Sequence, residues 1–187
     1  MKGIIFNLLE QFISDNFGEE RYEEILASCP LVTQEPFVGP GTYPDEDFLK
    51  LTARAVESLA LSAPDALRAF GKYCFPKLAE KFPGFVSPHK DPKSFLMTVD
   101  GVIHVEVRKL FDGASVPNFV YREPSRDTLI IEYSSERQFC HFMEGLIDGV
   151  GAHYNVPIQR KQTRCMLNRD PVCEFHLNFN PIDMEQQ

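Results

Sequence analysis

The stretch Phe119–Arg137, FVYREPSRDTLIIEYSSER, decides the fold, because there the hydrophobic rhythm turns from helical to strand-like. Phe119–Arg122 and Thr128–Ser134 alternate or run apolar, and Pro124–Asp127 supplies turn chemistry between them. An antiparallel strand pair follows. Working outward, Glu136–Tyr154 returns to a helical period, with Phe139, Phe142, Met143, Leu146, Ile147 and Val150 on one side. Pro157–Met166 and Val172–Phe179 then predict a second hairpin around Asn168-Arg169-Asp170.

Towards the N-terminus everything reads as helix. Ile4, Ile5, Leu8, Leu9, Phe12 and Ile13 predict a first helix stopped by Gly18, and Glu19–Ser28 a second closed by Pro30. Cys29–Pro44 holds four prolines and reads as a loop. Phe48, Leu51, Thr52, Ala55, Val56 and Leu59 mark a third helix. Ser62 caps a fourth, with Pro64 in its first turn, and Pro76 is expected to bend or break it. A loop over Pro83–Pro92 leads into a helix over Pro92–Phe111. The β-branched run Val102–Val107 inside that helix is also compatible with a strand. The class is α+β: one domain over 1–187, with a helical part of about 1–62 and an α/β part of about 63–187.

Composition narrows the function. The 187 residues carry a net charge of −8 and no Lys/Arg-rich block, so neither nucleic acid nor an anionic membrane is an expected partner. No run approaches the ~20 apolar residues of a membrane span. The early apolar residues are interrupted by Glu10 and Asp15, unlike a signal peptide. Five cysteines, an odd number, fit a reduced cytoplasmic chain better than a disulfide scaffold.

Two groups of residues carry chemistry. Tyr133, Ser135 and Arg137 present two hydroxyls and a guanidinium, a donor set that suits a ligand with two carboxylates. They equally suit a helix cap, an ion pair and a sheet-edge tyrosine. His104 follows Met97 and Gly101 at helical spacing, with Phe111 a further turn along. Gly101 costs a helix about 1 kcal/mol relative to Ala, but removes a side chain where a flat ligand could lie. A lone histidine on an apolar helix is also an ordinary core or surface residue.

Taken in order, MKGIIFN at the start, FGKY at Phe70–Tyr73, the His104 helix, DGASVPNF at Asp112–Phe119, YSSER and EGLIDGVGAHY resemble the H-NOX family. These are haem nitric oxide/oxygen-binding domains related to the sensor part of soluble guanylate cyclase. The resemblance spans essentially the whole chain. Its Y-x-S-x-R motif is fairly specific when an axial histidine lies about thirty residues upstream, as His104 does. It implies haem b, with His104 as proximal iron ligand and Tyr133, Ser135 and Arg137 holding the propionates. Pro117 corresponds to the proline that presses on the macrocycle. Ile5, Leu9, Cys74, Leu78, Phe142 and Leu146 fall at distal-pocket positions, and Met97 and Gly101 lie on the His104 helix, on the cofactor's proximal side.

Phe142 sets the expected ligand. Family members that hold O2 resemble one another in a tyrosine there, whose hydroxyl donates to the bound gas; a phenyl ring has no donor. Ile5, Leu9, Leu78 and Leu146 cannot substitute, and Cys74 is a weak donor. The chain is therefore expected to sense nitric oxide and CO and to ignore O2. It carries no kinase, cyclase or DNA-binding motif, so it is not read as an enzyme. Release of His104 should free its helix and alter a partner, by analogy a cytoplasmic histidine kinase or a diguanylate cyclase. A haem peroxidase would need polar distal acid–base groups, which these positions lack.

Some bacterial relatives bind structural zinc through three cysteines and a histidine. Cys140, Cys165 and Cys173 match, but Gln162 stands at the histidine's position. His176 or His141 is the candidate fourth ligand, since an amide is a poor zinc ligand. The plain alternative is three free cysteines. A further reading makes them a thiol/zinc redox sensor with haem as co-input.

Overall fold

Gly18, at φ 97°, ends the first helix where the spacing predicts, because an L side chain rarely adopts that backbone conformation. A computed structural model describes residues 1–110 and 114–179. Phe111 and the Asp112-Gly113 start of DGASVPNF lie outside the described residues. Helices α1 (Gly3–Phe17), α2 (Glu19–Ala27) and α3 (Asp45–Ser58) form the N-terminal part. The proline-rich segment before α3 is tied down by Asp47. Its fully buried carboxylate accepts from the Val32 and Thr33 backbone N–H groups at 2.8 and 3.0 Å, and from the Thr33 hydroxyl at 2.6 Å.

Helix α4 (Ala63–Lys81) starts as expected, with the Ser62 hydroxyl accepting from Asp65 N–H at 3.2 Å. Pro76 does not break it. The helix continues to Lys81, held by packing that outweighs the one hydrogen bond a proline removes. A short helix α5 (Pro83–Val86) interrupts the expected loop. The helix predicted over Pro92–Phe111 is not continuous. It is split into α6 (Pro92–Leu96), a π-helical turn (Val99–His104) and α7 (Val105–Leu110). The Thr98 carbonyl accepts from both Val102 and Ile103 N–H, at 2.9 and 3.3 Å; the second bond spans five residues and widens the turn.

The strands β1 (Asn118–Ser125), β2 (Thr128–Ser134), β3 (Gln159–Arg164) and β4 (Cys173–Asn178) form one antiparallel sheet, in the order β1-β2-β4-β3. Between β2 and β3 runs α8 (Cys140–Tyr154), which starts four residues later than its period predicts. Gln138 takes the left-handed conformation at φ 52°, so residues 135–139 make a turn instead. The left-handed Asn155 ends the helix. The α+β class holds as predicted, and no helix among the described residues is long and apolar enough to cross a membrane.

Two cores result. In one, the inner face of the sheet, with Leu129, Ile131, Tyr133, Cys173, Phe175 and Leu177, packs on Met143, Ile147 and Val150 of α8. The other joins α1, α2 and α3 to Phe70 and Cys74 of α4. Burying each large apolar side chain contributes roughly 1.5–3 kcal/mol. Leu146 packs against both cores, and α4 supplies Phe75 and Ala79 to the first and Phe70 and Cys74 to the second. At Gly71 and Gly145 the helices α4 and α8 come into backbone contact. A Cβ on Gly145 would stand 2.0 Å from the Arg68 carbonyl oxygen, and one on Gly71 2.2 Å from that of Phe142. Only glycine admits that approach.

Candidate functional site

His104 closes the π-helical turn. Its side chain is only 14% exposed, and its Nδ1 lies 3.4 Å from Asp100 Oδ1. The ring also hydrogen-bonds the Pro117 backbone and stacks on Phe119, with centroids 5.3 Å apart at 20°. Burial holds its pKa below the ordinary 6.5, against the opposing pull of Asp100. The imidazole is thus neutral near pH 7, the form that ligates a metal. Carboxylate and carbonyl partners on the ring are what orient a ligating histidine.

Phe119 carries this geometry across to the YSSER run. It pairs with Tyr133 in the β1–β2 register, and the two rings lie 5.7 Å apart. The buried Tyr133 hydroxyl bonds to Ser135 and the Phe139 backbone, and desolvation pushes its pKa up to about 12, so it stays a neutral phenol. Arg137 is half-buried, its side chain 11% exposed. Its Nη1 donates to the Ser115 carbonyl at 2.8 Å and its Nη2 to Asp45 Oδ1 at 2.9 Å. Nε is 2.7 Å from Asp45 Oδ2, yet lacks a well-aligned hydrogen bond. Burial raises the Asp45 pKa, but hydrogen bonds from Arg137 and the chain's terminal amine outweigh it and hold the carboxyl below the usual range. A half-buried guanidinium with an imperfectly used donor is a fitting partner for a further carboxylate.

The expected distal residues converge from three helices. Ile5 and Leu9 of α1, Cys74 and Leu78 of α4, and Phe142 and Leu146 of α8 belong to one apolar cluster. Phe142 lies against Phe70, centroids 5.2 Å apart. Two tyrosine hydroxyls of this cluster are engaged elsewhere: that of Tyr73 donates to Asp15 at 2.6 Å, and that of Tyr43 accepts from Val38 N–H at 2.7 Å. Burial alone raises the Cys74 thiol well above its usual pKa. On the other side, Met97 packs against the sheet core, and Gly101 has open space where a Cβ would stand. The residues therefore fit a flat, dianionic, iron-bearing ligand: one neutral imidazole, one half-buried guanidinium and otherwise apolar walls.

The three cysteines also meet. Their sulfurs all lie within 4.8 Å of one another, Cys140 and Cys173 at 2.8 Å and Cys140 and Cys165 at 3.8 Å. The Cys140 thiol is driven up by its neighbour Cys173 and by burial. Cys173 is drawn down, first by the hydrogen bond with Cys140 and then, against burial, by the Met166 N–H at 3.3 Å. His176 does not join them. Strand alternation turns it to the opposite face of β4 from Cys173, where it bonds Glu174 at 2.8 Å. His141 is committed to Glu144, Nδ1 to Oε2 at 2.9 Å.

Three residues of this region were not singled out by sequence reasoning. Asp100 sits one helical turn before His104, and Phe119 faces Tyr133 in a predicted strand, so both left a local signal. Asp45 left none: it lies 92 residues from Arg137, and only tertiary structure joins them.

The family model described as Haem-NO-binding matches residues 2–162. The fold is similar to the H-NOX protein of S. oneidensis in its Fe(II)NO ligation state. The TM-score is 0.90 at 28% identity, covering 96% of this chain and 99% of that one. It is similar also to the unliganded Fe(II) H-NOX protein of K. algicida, with a TM-score of 0.89 and 28% identity over the full length of both chains. The H-NOX protein of Shewanella woodyi in its Fe(II)CO state gives 0.85 and 29%, over 100% of this chain and 98% of that one.

Proposed function

The chain belongs to the haem-NO-binding family, and from that premise we propose that it binds haem b and senses nitric oxide and CO, but not O2, on behalf of a partner signalling protein. Haem supplies the iron to which the gas binds. His104 is the proximal ligand, kept neutral by burial and oriented by Asp100 and Pro117. Tyr133, Ser135 and Arg137 hold the propionates, and Pro117 sets the fit of the macrocycle from the proximal side. Met97 and Gly101 line that side, and the distal wall excludes water.

One observation carries the gas selectivity: at the expected distal positions Ile5, Leu9, Leu78, Phe142 and Leu146 carry no hydroxyl or amide donor and Cys74 offers only a thiol. O2 needs such a donor because charge develops on it when bound, whereas nitric oxide and CO do not depend on one. The output follows from the tether. His104 would tie the Val99–Leu110 segment to the haem; were that tie lost, the segment would be free to shift, and a partner that binds the two arrangements unequally would read the change. A cytoplasmic histidine kinase or diguanylate cyclase fits that role. The catalysis then belongs to the partner and not to this chain.

The test is the visible spectrum of the reduced protein under argon, CO, nitric oxide and air. Shifts with CO and nitric oxide, and none attributable to a stable oxy complex in air, are expected. A long-lived ferrous–oxy complex overturns the selectivity; a protein that takes up no haem overturns the whole reading.

A second reading rests on the 2.8 Å approach of Cys140 and Cys173. Two thiols lose two protons and two electrons to form a disulfide, reducing one peroxide to two waters, and the strain falls on the start of α8. Retention of partner control by nitric oxide in a variant lacking the three cysteines assigns the primary input to haem.

A further inference from the structure

The cysteine cluster does not fit the zinc site that the family resemblance implies. Structural zinc is tetrahedral and takes thiolate or imidazole as its fourth ligand. Of the candidate imidazoles, His176 stands on the far face of β4, bound to Glu174, and among the described residues no ring nitrogen of His141 or His176 joins the three sulfurs within 4.8 Å. The inner face of β3 runs along α8, where Arg160 pairs with Glu144 and Asp148. Two residues on, at the same face, comes Gln162, opposite Phe175 and on the side of Cys173. Its Nε2 is buried and has no hydrogen-bond partner. Its amide oxygen is a neutral, weak donor of a kind that structural zinc sites do not use, and an N–H, like that of Met166 toward Cys173, only supports negative charge on sulfur. What remains is sulfur alone: three thiols, two of them fully buried, with the half-buried Met166 packed against the same core.

We propose that Cys140, Cys165 and Cys173 form a sulfur-only site for a soft monovalent cation of the Cu(I) class, in preference to zinc. Soft thiolate and thioether ligands select such a cation, and a d10 monocation is satisfied by three sulfurs where zinc requires a fourth strong donor. Binding replaces sulfur-bound protons with the metal and involves no redox step. The site is formed by the start of α8, the end of β3 and the start of β4, and the inference does not depend on haem being bound.

The experiment is an anaerobic competition. Reduced, CO-bound holoprotein receives one equivalent each of Cu(I) and Zn(II), and is then desalted for metal analysis and near-ultraviolet thiolate-to-metal absorption. Wild type is expected to retain about one Cu(I) and little zinc. Cys173→Ser should lose most of the copper. Gln162→His, which restores an imidazole, should raise zinc retention by roughly tenfold or more. The haem spectrum checks the fold of each variant independently. Wild type that holds zinc as well as Gln162→His does, that holds neither metal, or that keeps copper without the three cysteines overturns the proposal.

Discussion

The two sides of the His104 region are built differently. The distal wall comes from α1, α4 and α8, with Leu9 and Cys74 buried and Ile5, Leu78, Phe142 and Leu146 half-buried against the same core, and with α4 and α8 in backbone contact at Gly71 and Gly145. On the proximal side, the Val99–Leu110 segment buries no residue fully, and Leu110 is 68% exposed. Its backbone is a π-helical turn followed by a short helix, anchored at His104 by the stacked Phe119 ring and the Pro117 backbone. Segments with few buried apolar contacts open at low free-energy cost, whereas close-packed helices do not. On the proposed function, the wall is the fixed reference against which the turn can move, and the asymmetry fits gas selection on one side and signal transmission on the other.

The largest expected effect tests the anchor. His104→Gly should purify nearly free of haem, and added imidazole should restore it, read as haem absorbance per protein. Undiminished haem content without imidazole would remove the anchor from the account. Next comes the wall. Gly145→Ala places a methyl where backbone already stands, so urea denaturation should show a loss of about 3 kcal/mol, at the upper end of overpacking costs. Gly101→Ala on the opposite side meets open space; it should change stability without haem by no more than about 1 kcal/mol while weakening haem retention. Equal destabilisation by the two substitutions would erase the asymmetry.

A smaller change tests selectivity within the wall. Phe142→Tyr supplies one neutral hydrogen-bond donor, worth about 1 kcal/mol, and should lengthen the life of a ferrous–oxy complex by roughly five- to tenfold. No change in flash-photolysis or autoxidation rates would mean that the ring does not face the bound gas. The smallest effect is on pH. The folded-state pKa of His104 is lowered by burial, so the unfolded chain takes up its proton first on acidification. That stabilisation is full above about pH 6.5, the unfolded value, and is lost as the pH falls below it. Stability measured without haem should decline through that window in wild type and less so in His104→Leu.

Much of this was legible beforehand, for reasons specific to each element. β2 coincides with its predicted Thr128–Ser134 because alternation and apolar runs are local signals, and Ser62 caps α4 because its partner is three residues away. Pro76 misleads in isolation, since a proline's local cost is outweighed by contacts from α8. The split of the expected Pro92–Phe111 helix was hidden for the opposite reason. A π-helical turn differs from an α-helix by one residue of hydrogen-bond span, which a periodicity of a few residues cannot resolve. The late start of α8 turns on Gln138, whose left-handed backbone is set by the turn that follows β2.

By itself, the sequence determined the α+β class, the family, the candidate imidazole at His104 and a phenyl ring without a hydrogen-bond donor at Phe142. All of these reside in residue type, order and short-range period. Only the tertiary structure decided that Asp45 engages Arg137, that Phe119 bridges His104 to Tyr133, and that the cysteines converge while His176 faces away. Those facts depend on strand register and helix crossing, and a one-residue slip in either reverses which side chains meet.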